Sequence, residues 1–346
     1  MLWKSLALAL LMQHGSTQNM NIPPMMRFQC SQLVVERVDP LVNPGLVPSP
    51  HLHQIVGGNS FNASMDHQTH DLPSSSTCTS CTFSEDFSNY WTAVLYFRAR
   101  NGTFKRVPQS TELQLKGNAG ITVYYIPSTD NKTAVTAFKP GFRMLVGDAG
   151  LRSQGPDRKV CHRCKPVDGD GSNINCGAPD AQTFPKGFCA GGIRSVITFP
   201  TCWDGKNLDS PDHQSHVAYA KGSKANDVGP TGVCPESHPV PIPQVMYEVV
   251  WDTRPFNDPN LWPEDGSQPF VYSTGDQNGF SQHGDYVFGW KDDSLQRAMN
   301  ARCTGDVCDV LKTQTTEEAM KCTVPKVVDE DIEGWLTELP GNPVLF

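Results

Sequence analysis

Along most of this chain, apolar and polar positions follow a strand-like pattern. The runs "WTAVLYFRA", "GITVYYI", "FRMLVG", "GIRSVITF", "QVMYEVVW" and "DYVFGW" are rich in Val, Ile, Tyr, Phe and Trp, with Gly, Pro, Asn or Asp between them. Some alternate with period two and others are continuously apolar, which fits two sheets packed face to face. The spacing between runs is long and irregular, so large loops carry much of the chain, and chemistry tends to sit on such loops. The expected fold is mainly β, a jelly-roll-like β-sandwich with long loops over residues 19–291. The pattern then changes. "DDSLQRAMNARC" and "TTEEAMKC" open on capping residues and continue with good helix formers, which predicts a short Cys-rich helical tail over 292–346, packed on the same domain. The closing "VVDEDIEGWLTELPGN" is acidic and then amphipathic, and is read as folding back over the sandwich.

Composition narrows the picture. With 346 residues the chain can bury a full core, and 38% hydrophobic against 18% charged residues, with 29 Gly and 28 Pro, suits a loop-rich β protein better than a helical bundle. The net charge of -8 and the lack of a basic stripe argue against nucleic acid as a partner. "MLWKSLALALLMQHGSTQ", residues 1–18, reads as a secretory signal peptide, too short for a permanent membrane anchor. No later segment is apolar for long enough to cross a bilayer, so the expected protein is secreted, extracellular or wall-associated, with no stable membrane anchor. Sequons at Asn62, Asn101 and Asn131 agree with that route. Twelve cysteines in an oxidising compartment predict disulfides, and the widely separated "CTSC" and "CHRC" pairs are read as structural bridges rather than a zinc ribbon. Cys303, Cys308 and Cys322 are expected to pin the short helices to one another or to the body.

The candidate chemistry lies in three polar, Gly-bearing loops. In "PSPHLHQIVGGNSF", His51 and His53 are two residues apart, so on an extended segment both side chains face the same way, and Gly57 and Gly58 let the chain turn away behind them. "FPTCWDGKNLDSPDHQSHVAYA" carries Asp204, His213, His216 and Tyr219, and "STGDQNGFSQHGDYVFGW" carries Asp276, His283 and Asp285. Three readings follow. A catalytic centre could act on polysaccharide as a hydrolase or lyase, with His213 or His283 as general base, Tyr219 or Asp204 as acid, and His51 and His53 orienting substrate. Alternatively His51, His53, His213 and His216 could hold a divalent transition metal, which neutral imidazole suits. In the third, the loops bind wall glycan without turnover, on Trp91, Trp203 or Trp290. Against all three stands the ordinary behaviour of such residues: a single loop histidine usually bonds backbone, and a tryptophan at a strand end usually packs in the core. No Gly-x-Ser-x-Gly elbow, Gly-x-Gly-x-x-Gly or Walker loop, or His-Glu-x-x-His is present, which disfavours α/β-hydrolases, nucleotide cofactors and the commonest zinc proteases.

The stretches "FQCSQLVVERVDPLVNPGLVPSPHLHQIVGGNSF", "STCTSCTFSEDFSNYWTAVLYF", "FPTCWDGKNLDSPDHQSHVAY", "PVPIPQVMYEVVWDT" and "STGDQNGFSQHGDYVFGW" together resemble the secreted fungal domain-of-unknown-function family numbered nineteen ninety-six. The resemblance runs from about Met26 to about Cys322, and the "EDIEGWLTELPGN" tail also looks like that of its members. It implies a secreted β domain associated with polysaccharide or the fungal cell wall. It singles out His51, His53, Asp204, His213, His216, His283 and Asp285 as signature polar residues, without assigning a role to any. Some members carry an added sugar-binding wall module, and no such extension is visible in this chain. The combined expectation is a carbohydrate-active protein with one His/Asp cleft, whose partner is polysaccharide or wall glycan; the alternatives are a non-catalytic wall-binding or structural protein, or a histidine-based metal-binding protein.

Overall fold

A computed structural model describes residues 24–110, 120–130, 133–155, 159–167, 176–224 and 226–346. The segment read as a signal peptide and the sequon asparagine Asn131 lie outside the described residues. The fold is mainly β. Nine strands form one sheet in the spatial order Arg143–Gly147, His283–Val287, Asn89–Ala93, His53–Gly57, Met26–Glu36, Gly120–Ile126, Gln244–Trp251, Ile193–Thr198 and Val160–Cys164. Each neighbouring pair in it is antiparallel. Two small three-stranded sheets flank it, one of which joins Phe270–Tyr272, Leu95–Arg98 and Phe104–Arg106. The predicted runs all carry strands, although "WTAVLYFRA" breaks at Val94, so that its two halves serve different sheets.

The large sheet curls until its halves face each other, giving the nearly closed, sandwich-like shape that the alternation requires. Tyr247 reaches across the interior and donates its hydroxyl to the Asp285 carbonyl at 2.7 Å. Alternation then sorts the side chains. Val56, Tyr90 and Tyr286 point inward with Tyr125, Tyr247 and Phe199, where their hydroxyls find one another: Tyr90 to Tyr125 at 2.9 Å and Tyr125 to Tyr286 at 2.8 Å. Their neighbours Ile55, Trp91 and Val287 point outward and are covered by Phe61, Met65 and Leu72 from a long loop. Burying each large apolar side chain is worth about 1.5–3 kcal/mol, so this sheet is stabilised from both faces. The same outer face of the Arg143–Gly147, His283–Val287, Asn89–Ala93 and His53–Gly57 strands, beside the segment from Asp39 to His51, is where the site forms.

The two helices predicted in the tail are Ser294–Ala301 and Thr316–Lys321; Thr315 caps the second by accepting from the Glu318 amide. The closing segment folds back as an irregular strap, not a helix. Ile332 and Leu339 are buried with Leu52, Tyr96 and Val271, and Leu336 exchanges two 2.8 Å backbone hydrogen bonds with Phe104. All twelve cysteines are bridged. Neither Cys-x-x-Cys pair closes on itself: Cys30 takes Cys81, Cys78 takes Cys322, Cys161 takes Cys176 and Cys164 takes Cys189. Cys202–Cys234 and Cys303–Cys308 complete the set. No described helix is long and apolar enough to cross a membrane.

Candidate functional site

The site begins with strand register. His53 opens the His53–Gly57 strand opposite Ala93, and Gly284 lies opposite Thr92, so His53, Ala93 and His283 form one row across three strands. Ala93 is small, which leaves the space above the row to the two imidazoles. On the far side, His283 lies opposite Gly147. Gly147 has φ +90°, and a Cβ there would fall 2.5 Å from the Gln282 carbonyl, so only glycine lets this edge strand lie so close to His283. His51 enters from the preceding loop, and because it is two residues before His53 in extended chain its ring lands beside the row. The ring centroids of His51 and His53 are 4.2 Å apart.

Three ring nitrogens converge. His51 Nε2 is 3.1 Å, and His53 Nε2 3.3 Å, from His283 Nε2. His283 Nδ1 lies 2.9 Å from the Ser281 carbonyl, which can only accept, so Nδ1 carries the proton and Nε2 presents its lone pair. One lone pair cannot serve two donors well, yet two nitrogens crowd it. A cation at the centre satisfies all three: ligands about 2.0–2.1 Å from a tetrahedral ion stand about 3.3 Å from one another, close to the separations seen here. Asp285 completes the group. Its carboxylate is fully buried, neither oxygen has a hydrogen-bond partner, and Oδ2 lies 3.7 Å from His283 Nε2.

Electrostatics agree with the geometry. Burial, reinforced by the other two rings, holds His51 well below the ordinary imidazole range, and burial with His283 nearby does the same to His53. Burial also lowers His283, against the pull of the Ser281 carbonyl and Asp39. The three rings are therefore neutral at physiological pH, and each carries one unprotonated ring nitrogen. Asp285 is pushed well above the carboxylate range by burial and then by the charge of Asp39. Burial raises Asp39 as well, although the Val42 and Leu41 amides work to keep it ionised.

The cluster opens on solvent from one side. A cleft of about 600 Å³ has Asp39, His51, His283, Asp148, Arg152 and Gln214 in its wall, whereas His53 lies behind. A second cavity of about 320 Å³ shares Leu145, Gly147 and Gln214 with it and continues past Gln182, Tyr219 and Phe280.

The remaining sequence candidates sit elsewhere. His213 Nδ1 donates to the Asp209 carboxylate across 2.7 Å, and the His213 carbonyl accepts from the Leu145 amide. His216 is buried between Ser210 Oγ and the Arg143 carbonyl, both at 2.8 Å. Asp204 accepts from the Lys206 and Asn207 amides, closing a turn. Tyr219 gives its hydroxyl to the Thr198 carbonyl and lines the second cavity. Of the two described histidine loops beyond His51 and His53, the structure thus brings His283 to the cluster, while the His213 ring is engaged by Asp209 and the His216 ring by Ser210 and the Arg143 carbonyl. Trp91, Trp203 and Trp290 are at most 4% exposed, so none is a platform for an external sugar. Gly57, which ends its strand at φ +112°, and Gly58 lie tight against neighbouring backbone; a Cβ on Gly57 would fall 1.8 Å from the Ser88 carbonyl, and one on Gly58 2.6 Å from the Phe87 carbonyl. Asp39, which sequence reasoning passed over, stands in "RVDPLVN", where an acid before proline reads as an ordinary turn residue.

Comparison with known proteins adds a family. The family model described as "Domain of unknown function (DUF1996)" matches residues 39–290. This chain belongs to that family. The match runs from Asp39 to Trp290 and so contains the His51/His53/His283 group of this DUF1996 chain together with the adjacent Asp285. No curated protein and no solved structure matches it.

Proposed function

We propose that this DUF1996 protein is a secreted, metal-dependent carbohydrate-active protein. Its centre is one divalent transition-metal ion held by His51, His53 and His283. The observation that carries the reading is the convergence of the three Nε2 atoms, at 3.1 and 3.3 Å, beside a buried carboxylate with no hydrogen-bond partner. Three imidazoles leave a fourth position free, which is the arrangement of catalytic rather than structural zinc sites. Since His51 and His283 line the cleft and His53 does not, that position faces the cleft. Asp285 lies on the buried side, where its charge offsets that of the ion. A bound ion there would acidify a water or polarise a substrate oxygen, with the Asp39 carboxylate in the same wall to take up the proton.

Glycan is the substrate class that the cleft favours. Its walls carry neutral hydrogen-bonding groups, Asn43, Gln214 and Thr274, and the adjoining cavity adds Gln182 and Tyr219, a set suited to sugar hydroxyls. Secretion is supported by six disulfides, which persist in oxidising compartments. The test is a turnover screen on neutral and uronic wall polysaccharides, run with zinc- and copper-loaded protein, chelator-stripped protein and His51→Ala. Reducing or unsaturated ends that require both the metal and His51 are the expected result. Glycan retention without products, equal in stripped and loaded protein, overturns the catalytic reading in favour of a wall-binding role.

A further inference from the structure

Outside the histidine cluster, one tryptophan among the described residues is left in the open. Trp335 is 46% exposed, unlike the buried Trp91, Trp203, Trp251, Trp262 and Trp290. It is held rigidly, because Leu336 beside it exchanges two backbone hydrogen bonds with Phe104, and its ring packs edge-on against Phe97 at 6.4 Å. Lys105 Nζ stands 5.4 Å from the ring. Trp335 forms one wall of a largely apolar groove of about 550 Å³ that also includes Arg100, Thr103, Leu261 and Asn101.

Asn101 is the first residue of the sequon Asn101-Gly102-Thr103 at the tip of the hairpin joining Leu95–Arg98 to Phe104–Arg106. Its Oδ1 accepts from the Thr103 amide at 3.1 Å and from Thr103 Oγ1 at 2.7 Å. That arrangement occupies the carbonyl side of the amide and turns Nδ2 outward. At Asn62, by contrast, Nδ2 is engaged with the Ser60 carbonyl at 3.0 Å.

We infer that Asn101 carries an N-linked glycan whose first sugars lie in this groove against the face of Trp335, so that a covalent modification of the chain itself covers this exposed tryptophan. Nδ2 forms a bond to the anomeric carbon of an oligosaccharide carried on a lipid pyrophosphate. The carbon–oxygen bond to phosphate breaks, the lipid pyrophosphate leaves, and the amide gives up one proton. The sugar C–H faces then meet the indole, an amphipathic contact of the kind tryptophan makes readily. The occupant follows from the placement: the attachment atom lies on the groove that needs covering, and Gly102, at φ +87° with open space around it, leaves the hairpin tip clear. The inference rests on passage through a glycosylating compartment but is independent of the metal centre.

The experiment uses the full chain secreted from a eukaryotic host. Peptide mass spectrometry maps occupancy at Asn101, and hydroxyl-radical footprinting reads the oxidation rate of Trp335 in wild type, Asn101→Gln and Asn62→Gln. Occupied Asn101 is expected, with Trp335 oxidised about three-fold or more faster in Asn101→Gln and unchanged in Asn62→Gln. Thr103→Ser, which keeps the sequon, retains the protection. An unmodified Asn101, or equal Trp335 oxidation with and without the glycan, overturns the inference. So does protection of Trp335 in Asn101→Gln by added free oligosaccharide alone, which would make the groove a site for external sugar.

Discussion

Replacing Asp285 by Asn should stabilise the metal-free protein, the reverse of what removing a buried charged group usually does. In the absence of an ion, Asp285 has no hydrogen-bond partner and is raised well above its ordinary 3.8 by burial and by Asp39. At pH 7 the fold must hold it protonated, or ionised and unpartnered. Binding a proton at pH 7 to a group of unfolded pKa 3.8 costs up to about 4 kcal/mol. Asparagine has the same outline and no ionisation to suppress, although its amide N–H groups also lack partners there, so the expected change is a gain that stays below that ceiling of about 4 kcal/mol. With unfolding entropy near 2.1 cal/mol/K per residue, the ceiling corresponds to about 6 °C in Tm. The sign follows from linkage. A carboxyl whose folded pKa is raised contributes stability that is fully present below 3.8 and lost as pH rises toward the folded value. The advantage of Asp285→Asn should therefore be small at pH 4 and grow toward pH 7. The assay is thermal or urea unfolding of chelator-stripped protein with disulfides intact. A metal titration in parallel should show the opposite order, with Asp285→Asn binding about 10–100-fold more weakly, as outer partners of metal sites do when removed. A destabilised Asp285→Asn, or a gap that does not change with pH, would refute the reasoning.

Three other outcomes are expected. His162 is buried between Ser195 Oγ and the Gly279 carbonyl, and burial lowers it to about 4. The stability it contributes is present above 6.5 and lost as pH falls toward 4, about 3 kcal/mol in all, so His162→Gln should flatten the acid limb of a stability–pH profile by that amount. The Cys78–Cys322 bridge closes 244 residues, and a Cys78→Ala/Cys322→Ala pair should lose about 5 kcal/mol on chain-entropy grounds, measured by urea midpoint. Gly57→Ala places a methyl on the Ser88 carbonyl at φ +112° and should cost more than about 3 kcal/mol or abolish folding, whereas an exposed control such as Gly222→Ala, with open space but φ +76°, should cost only about 1 kcal/mol.

Much of the sheet was legible because alternation is a local property. "GITVYYI" and "QVMYEVVW" declare two apolar faces in their own residues, and they are adjacent strands of the large sheet. The opening strand Met26–Glu36 was harder, since Gln29, Ser31 and Gln32 interrupt its apolar run. His51 and His53 could be read as sharing a face because strand period is two, and their rings do stand together. Which other histidine joins them depends on strand order across 230 residues, and nothing in "DHQSH" marks its rings as bonded to Ser210, Arg143 and Asp209 rather than to a ligand. Cysteine pairing was equally hidden, because the two members of each Cys-x-x-Cys pair leave for different partners.

The central claim is a single metal ion among His51, His53 and His283. Its most direct measurement is metal content after equilibrium dialysis of the folded, disulfide-intact protein against micromolar zinc and copper, read by elemental analysis, with X-ray absorption to identify the ligands. The account predicts one ion per chain, with three imidazole nitrogens at about 2.0–2.1 Å. It also predicts loss of the ion in His53→Gln and His283→Gln but retention in His213→Gln and His216→Gln. No bound ion in the wild-type protein, or one that persists without His283, would contradict it.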